Sequence, residues 1–276
     1  MTKPPPPKTR TDGDAVYLRA ITENILGWSN PKSRLLRALD NDDFLLYAQR
    51  IMALKPRLED QGCLEILLRL REEEDNMLPP GGFFPVAEAL GMLEDIDRWV
   101  AQHTIAWCAL SAEYDNAPIC CINLSTDSLL NPDFADFIRA EIKKHDVPGS
   151  RLCFEINELD AITQPDGIRK FIRALKPRGC RFTLDNFGSV KVSFAHIRDL
   201  PIDYLKVDGS IIQNIINSSG DLARARAISL TCQRLGLRVI AQNVESKPVL
   251  VKLREIGFDY AQGFGISHPG PITKIR

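Results

Sequence analysis

Short apolar runs that alternate with helical patterns constrain the fold of this chain more than any other feature. Beyond residue 80, runs at 119–123, 152–156, 181–185, 204–208 and 238–241 are separated by stretches with helical periodicity. Strands that alternate with helices predict a parallel sheet covered by helices. With about eight strands expected, the pattern favours a closed α/β barrel, the TIM-like (β/α)8 architecture.

The first third of the chain follows a different pattern. Residues 44–51 and 63–69 predict two paired strands joined by a polar turn. Residues 14–40 predict a helix that breaks at Asn30-Pro31, since the residue before a proline disfavours the helical conformation. We expect a disordered tail over 1–13, a helical extension over 14–32 and one large domain over 33–276.

Composition narrows the functional class. The chain has 276 residues, 44% hydrophobic and 26% charged, with a net charge of -1. These values are typical of a globular protein and give no support for a nucleic-acid partner. No apolar run approaches the ~20 residues of a membrane-spanning helix. The seven cysteines show no C-x-x-C spacing, which predicts reduced thiols in a cytoplasmic chain.

Polar residues follow most of the predicted strands. A single acid at a strand end more often caps the next helix, but in a barrel these ends meet on one face. Carboxylate and amide oxygens there suit Mg²⁺, Mn²⁺ or Ca²⁺, and a lysine beside them suits a phosphate or a water. The residues are Glu65, Asn123, Glu155, Asp185, Lys206 with Asp208, Gln242 with Glu245, and Gln262.

At these residues the chain resembles the EAL-domain family of cyclic di-GMP phosphodiesterases, over roughly residues 33–272. The matching segments occur in the family's order and at the predicted strand ends. They are Gln49, Glu65-Ile66-Leu67-Leu68-Arg69, Phe84-Pro85-Val86-Ala87-Glu88, Asn123-Leu124-Ser125, Glu155-Ile156-Asn157-Glu158, Asp185-Asn186-Phe187-Gly188, Leu205-Lys206-Val207-Asp208, Ala241-Gln242-Asn243-Val244-Glu245 and Asp259-Tyr260-Ala261-Gln262-Gly263.

The resemblance implies a barrel of the EAL type with an antiparallel first strand. It also implies hydrolysis of cyclic di-GMP to pGpG by two Mg²⁺ or Mn²⁺ ions that activate a water. The implied metal ligands are Glu65, Asn123, Glu155, Asp185 and, in place of an acid, Asn186. The implied catalytic residues are Lys206, Glu245 and, in place of an acid, Gln242. The implied ligand contacts are Gln49, Glu65, Leu67, Arg69, Asn123, Asp208 and Gln262, and Glu158 is implied to support the loop after Asp185.

Several departures from the family pattern bear on activity. Ile66 replaces the signature alanine, which is a mild change. Asn186 is a neutral ligand where a second acid is usual, and the amide of Gln242 cannot act as a general base. Val190 replaces a loop glycine, which puts dimerisation and metal occupancy in doubt.

Three hypotheses follow. The leading one is a degenerate EAL domain that binds cyclic di-GMP, with lost or impaired hydrolysis and no need of a metal, and signals to a protein partner. The second is a slow phosphodiesterase that depends on Mg²⁺ or Mn²⁺. The third is an interaction module that binds no nucleotide. Whether the chain forms a homodimer stays open.

Overall fold

The computed structural model describes residues 27–55, 62–72, 76–111, 117–189, 194, 197 and 199–274. The predicted tail, residues 14–26 of the predicted extension and the loop at Val190 lie outside these residues. The chain divides into two compact units. The first comprises Met1–Leu45 and Leu68–Ile96, and the second comprises Leu46–Leu67 and Asp97–Arg276.

Ten strands and ten α-helices occur among the described residues. The strands are β1 (Phe44–Ala53), β2 (Cys63–Arg71), β3 (Met77–Leu78), β4 (Ile119–Asn123), β5 (Leu152–Asn157), β6 (Arg181–Phe187), β7 (Tyr204–Val207), β8 (Arg238–Ala241), β9 (Tyr260–Ala261) and β10 (Gly270–Pro271). The helices are α1 (Pro31–Asp40), α2 (Pro80–Ala89), α3 (Leu93–Leu110), α4 (Thr126–Leu130), α5 (Pro132–His145), α6 (Glu158–Thr163), α7 (Pro165–Leu175), α8 (Gly209–Ile212), α9 (Ser219–Leu235) and α10 (Lys247–Glu255).

In the first unit, helix α1 begins where the sequence predicts a break. Asn30 caps its N-terminus by accepting a hydrogen bond from the Ser33 amide at 3.1 Å, and Pro31 occupies the first helical position. The end of β2 pairs antiparallel with β3. Phe44 and Phe83 pack with their ring centroids 5.6 Å apart, and both rings are buried. This aromatic contact forms the core of the unit.

The second unit holds the barrel. Its strands follow the order β1-β9-β8-β7-β6-β5-β4-β2, and pairing of β1 with β2 closes the sheet. In the series β2-β4-β5-β6-β7-β8-β9 each strand is parallel to the next. Strand β1, in contrast, runs antiparallel to β9. The predicted TIM-like barrel and its antiparallel first strand are therefore confirmed.

Small and aromatic side chains fill the interior of the barrel. Cys63, Cys121 and Cys153 come from three neighbouring strands and pack with Tyr204 and Tyr260. All seven cysteines are free and buried. Interior-facing positions of a small barrel are filled by side chains, and this cluster is the packed interior of the barrel. Within the described ranges no helix is long and apolar enough to cross a membrane.

Candidate functional site

The polar residues predicted from the strand ends meet around one buried lysine. Lys206, the third residue of β7, has a side chain that is 0% exposed. Its Nζ atom lies near three carboxylates, at 2.9 Å from Glu155 Oε2, 3.2 Å from Glu65 Oε2 and 3.8 Å from Asp185 Oδ1. Burial alone would lower the pKa of Lys206, but the three carboxylates outweigh it and raise that pKa well above its usual value. The lysine is therefore a fixed positive charge.

The prediction that each polar residue ends its strand is wrong for Glu65. This residue is the third of nine in β2, which continues beyond the barrel to pair with β3. Glu155 and Asp185 also lie inside their strands, each two residues before the end of β5 and of β6. The three carboxylates still lie at the same end of the barrel, because all of them surround Lys206.

The three carboxylates lie close together, and their pKa values are shifted in different directions. Burial, reinforced by Glu65 and Asp185 and opposed by Lys206, raises the pKa of Glu155 to about 8. Burial likewise raises the pKa of Asp185. For Glu65 burial acts upward, but Lys206 and hydrogen bonds from Gln262 and Asn123 bring the pKa below its usual value. One ammonium cannot neutralise three carboxylates, so Glu155 holds a proton near neutral pH.

Two amide side chains occupy both oxygens of Asp185. Gln242 Nε2 donates to Oδ1 at 2.6 Å, and Asn186 Nδ2 donates to Oδ2 at 3.0 Å. Asn186 has a φ of 58°, in the left-handed region that asparagine tolerates better than most residues. The two positions where the resemblance expects acids therefore hold neutral hydrogen-bond donors directed at the central carboxylate.

A second group of amides holds Glu65. Asn123 Nδ2 donates to Glu65 Oε1 at 2.9 Å, and Gln262 Nε2 donates to Glu65 Oε2. Gln262 also donates to Gln49 Oε1 at 2.9 Å, and Gln49 Nε2 donates to the Ser267 carbonyl oxygen at 2.8 Å. These bonds connect β1, β2, β4 and the segment after β9 along one side of the site.

Beside this network lies a pocket of about 220 Å³. Amide, carboxylate and aromatic side chains line it, so it offers hydrogen-bond acceptors and donors together with one apolar surface. The lining residues are Gln49, Glu65, Gln242, Asn243, Glu245, Gln262, Gly263 and Phe264.

A larger cavity, of about 760 Å³, lies in the first unit. Arg34 is prominent in its lining, but its guanidinium is paired with Asp43 at 3.0 Å and with Glu72 at 3.4 Å. These charges satisfy one another, and none of the residues predicted to bind ligand or metal lines this cavity. The smaller pocket is therefore the candidate functional site.

The remaining predicted residues have separate places. Leu67 is half-buried on β2. Arg69 lies in the first unit, where Nη1 donates to the Leu68 carbonyl oxygen at 2.7 Å. Asp208 caps α8 by accepting from the Ser210 amide at 2.9 Å, and Glu245 is exposed at the pocket. The structure thus gives Asp208 the capping role common for an acid at a strand end.

Glu158 lies buried at the start of α6 and reaches the turn after β6. Its Oε2 atom accepts from the Gly188 amide at 3.1 Å and lies 3.5 Å from the Ser189 hydroxyl. These contacts hold the part of the loop that directly follows Asp185 and Asn186. The loop-supporting role that the resemblance implies for Glu158 stays a prediction.

The oxygen donors of this site fit one of the divalent ions that the family pattern implies. Oxygen atoms of Glu65, Asn123, Glu155 and Asp185 suit one hard cation, and the buried Oε1 of Glu155 has no hydrogen-bond partner among the described residues. As arranged around Lys206, the described residues include no group of three or more His, Cys, Asp or Glu side chains placed to hold a metal. One divalent ion would fit these donors if the side-chain oxygens gave up their present hydrogen bonds and contacted the metal instead.

A second ion fits poorly. It would share Asp185, whose two oxygens already accept N–H donors from Gln242 and Asn186. Both amides would have to turn, and they would then contribute no negative charge. The site therefore suits one divalent ion better than two.

Sequence patterns did not reveal a buried acid that holds the turn following Asn123. Asp97 on α3 is 4% exposed and accepts from the Ser125 amide at 2.8 Å, the Ser125 hydroxyl at 2.6 Å and the Ser128 hydroxyl at 2.7 Å. Burial raises its pKa to about 6 despite these bonds. The sequence signal that would have found it is an acid inside the apolar stripe of a helix, between Ile96 and Val100.

The family model for the EAL domain matches residues 32–269. This chain belongs to the EAL domain family. Among curated relatives, it is 32% identical over 240 residues to the cyclic di-GMP phosphodiesterase PdeB of Shewanella oneidensis, covering 87% of this chain and 28% of PdeB. It is 31% identical over 258 residues to the cyclic di-GMP phosphodiesterase PdeF of Escherichia coli, covering 94% of this chain and 34% of PdeF. The EAL domain chain thus spans about a third of these relatives.

Solved EAL domains share the fold. The structure of the FimX EAL domain from Pseudomonas aeruginosa bound to cyclic di-GMP superposes with a TM-score of 0.82 at 26% identity. The match covers 88% of this chain and 97% of the FimX chain. The EAL architecture therefore extends over nearly all of the described residues.

Proposed function

We propose that this EAL domain binds cyclic di-GMP, hydrolyses it slowly or not at all, and signals the bound state to a protein partner. The observation that carries the proposal is the capping of both Asp185 oxygens by the amides of Gln242 and Asn186. Amide donors satisfy this carboxylate within the protein, whereas in a two-metal site it would bridge two cations.

Charge explains why this arrangement disfavours hydrolysis. Acids at positions 186 and 242 would add two negative charges around Asp185 and attract a second cation. The amides add none, and the amide of Gln242 cannot take a proton from an attacking water. Losing a group that activates the nucleophile typically costs ~10²–10⁴ in rate. Retention of the pocket with loss of this group supports binding without efficient turnover.

The features suited to ligand binding are kept. Gln49 and Gln262 are buried and hold each other in place, and the pocket beside them is lined by polar side chains. Side chains fixed by hydrogen bonds lose little freedom when a ligand binds, which favours affinity. The FimX EAL domain, similar in fold, has been solved with cyclic di-GMP bound.

An active phosphodiesterase is the second candidate, favoured by a different observation. Lys206 and the three carboxylates around it are all present, and the oxygen donors for one ion remain. PdeB and PdeF, at 31–32% identity, are named cyclic di-GMP phosphodiesterases. One metal with Lys206 and Glu245 would then support a slow reaction.

Calorimetric titration with cyclic di-GMP, paired with chromatography of the products, separates the candidates. Titrations are run in EDTA, in Mg²⁺ and in Mn²⁺. The leading proposal expects saturable binding in all three and at most traces of pGpG after long incubation. Steady pGpG formation that requires Mg²⁺ or Mn²⁺ and that Glu65→Ala abolishes would establish the enzyme instead. Absence of binding under all three conditions would leave an interaction module that takes no nucleotide.

A further inference from the structure

An aromatic ring stands exposed at the edge of the candidate pocket. Phe264 lines the pocket, yet its side chain is 60% exposed. Of the large apolar side chains that are exposed in the described part of the chain, it is the only aromatic one. Exposing a phenylalanine ring to water is unfavourable, so its position beside a polar pocket is informative.

The backbone around Phe264 fixes this exposure. The Gly265 amide donates to the Val244 carbonyl oxygen at 3.0 Å, and the Val244 amide donates to the Gln262 carbonyl oxygen at 2.9 Å. A Cβ atom on Gly263 would overlap the backbone of Val244, so the two segments approach each other more closely than other residues allow. These close backbone contacts fix the turn that presents Phe264 at the surface.

A second ring extends the aromatic surface. His268 stacks on Phe264 with centroids 4.9 Å apart and an interplanar angle of 25°. Ser267, the residue before His268, holds Gln49 through its carbonyl oxygen. The aromatic pair is thus tied to the same hydrogen-bonded network as the pocket.

Pocket size indicates what this surface contacts. At about 220 Å³ the pocket lies below the range typical of sites that enclose a whole small-molecule ligand. A cyclic dinucleotide would therefore extend over the rim, where Phe264 stands. Flat nucleobases stack on aromatic side chains, and such contacts are a common source of affinity for nucleotides.

We infer that Phe264, backed by His268, is a stacking surface for one base of the bound nucleotide. The inference rests on the proposed function, because it assumes that a cyclic dinucleotide occupies this pocket. It adds a named base contact on the rim, separate from the residues around Lys206. It also assigns a role to an exposed ring that the hydrogen-bonded network leaves unused.

The test measures the affinity of the full chain for cyclic di-GMP in EDTA, which suppresses hydrolysis. Phe264→Ala is expected to raise Kd roughly 5- to 100-fold, the range for losing one base–aromatic stack. Phe264→Tyr keeps the ring and should bind like the unaltered protein, whereas Phe264→Leu, apolar but without a ring, should bind weakly. Leu110→Ala changes an apolar side chain that is 82% exposed on α3 and should leave Kd unchanged.

A fluorescence readout tests the contact directly. In Phe264→Trp, saturating cyclic di-GMP should quench the added tryptophan, which a role in folding alone would not predict. Equal affinity of the Ala, Leu and Tyr variants would overturn the inference while leaving the proposed function intact. If the unaltered protein binds no cyclic di-GMP, both the proposed function and this inference fail.

Discussion

Gln242 and Asp185 lie 57 residues apart in the chain, yet a hydrogen bond of 2.6 Å joins Nε2 of the first to Oδ1 of the second. A carboxylate at position 242 would repel Asp185 unless a cation stood between them. The same reasoning applies to Asn186, which donates to the other oxygen. Two neutral side chains thus set the charge of this half of the site.

Restoring both acids should restore hydrolysis. In Asn186→Asp/Gln242→Glu, two added charges should favour a second divalent ion, and the new carboxylate can accept a proton from water. We expect pGpG formation in Mn²⁺ or Mg²⁺ to rise by ~10²-fold or more. The measurement is an initial-rate assay by chromatography.

A matched control adds the same two charges elsewhere. Asn131→Asp keeps the cap of α5, since Asp caps a helix as well as Asn, and Gln102→Glu lies on an exposed position of α3. This control should leave the rate unchanged. An equal gain in the control, or no gain in the restored variant, would count against the role assigned to the two amides.

Stability should depend on pH through Glu155. Its pKa in the folded protein is raised to about 8 from 4.5, so between these values the folded state binds more protons than the unfolded state. The stabilisation is complete below pH 4.5 and is lost as pH rises to about 8, with a slope of at most ~1.4 kcal/mol per pH unit. The pKa of Asp97 is raised to about 6, so Asp97 affects the free energy of unfolding at lower pH than Glu155 does.

Glu155→Gln isolates this contribution. Urea unfolding in EDTA at pH 6 and pH 8 should show a smaller loss of free energy of unfolding in the variant than in the unaltered protein. The two proteins differ only at position 155, so the difference between their pH profiles reports on Glu155. Identical pH dependence would mean that Glu155 is ionised throughout this range.

Removing the central ammonium should be costly. Lys206→Met leaves three carboxylates without their buried cation, and breaking a buried ion pair in this way typically costs ~3–5 kcal/mol. Adding Glu65→Gln should recover part of the loss, because the pKa of Glu65 lies below its usual value and the substitution removes one negative charge. Urea unfolding measures both variants.

Divalent ions give an independent check on the same variant. Mg²⁺ or Mn²⁺ should raise the Tm of Lys206→Met more than that of the unaltered protein, because a cation can replace the missing ammonium. A Tm of Lys206→Met that matches the unaltered protein and ignores divalent ions would refute the importance of this charge.

The cysteines should be unreactive in the folded protein. All seven are free and buried, and burial raises the pKa of Cys180 and of Cys232 to about 12, which disfavours the reactive thiolate. Ellman's reagent should therefore label few thiols in the native state and seven in urea. Fast labelling of several thiols without denaturant would contradict the packing of the barrel interior.

Periodicity of apolar residues was enough to predict the barrel. Strands such as β4 and β8 are short, apolar and bounded by clear helical patterns, so the structure follows the prediction closely. The two-residue strands β3 and β10 and the short helices α4, α6 and α8 were missed. Elements of this length contain too few residues to show a period.

The sequence predicted which residues lie in the site better than it predicted the hydrogen bonds between them. Sequence order along the strands brought Glu65, Glu155, Asp185 and Lys206 together correctly on one barrel end. It gave no sign that Asn186 and Gln242 would both turn their nitrogens toward Asp185, because that orientation depends on charge balance in three dimensions. Phe264 was missed for a similar reason, since exposure is a property of the folded turn.

Lys206 supplies the cation of this site from the chain itself. Such a charge is present at one equivalent per molecule, independent of the metal content of its surroundings, and no chelator can remove it. The geometry around the three carboxylates should therefore persist in metal-free medium. If the domain binds cyclic di-GMP as proposed, it would respond to the concentration of this nucleotide without responding to that of magnesium.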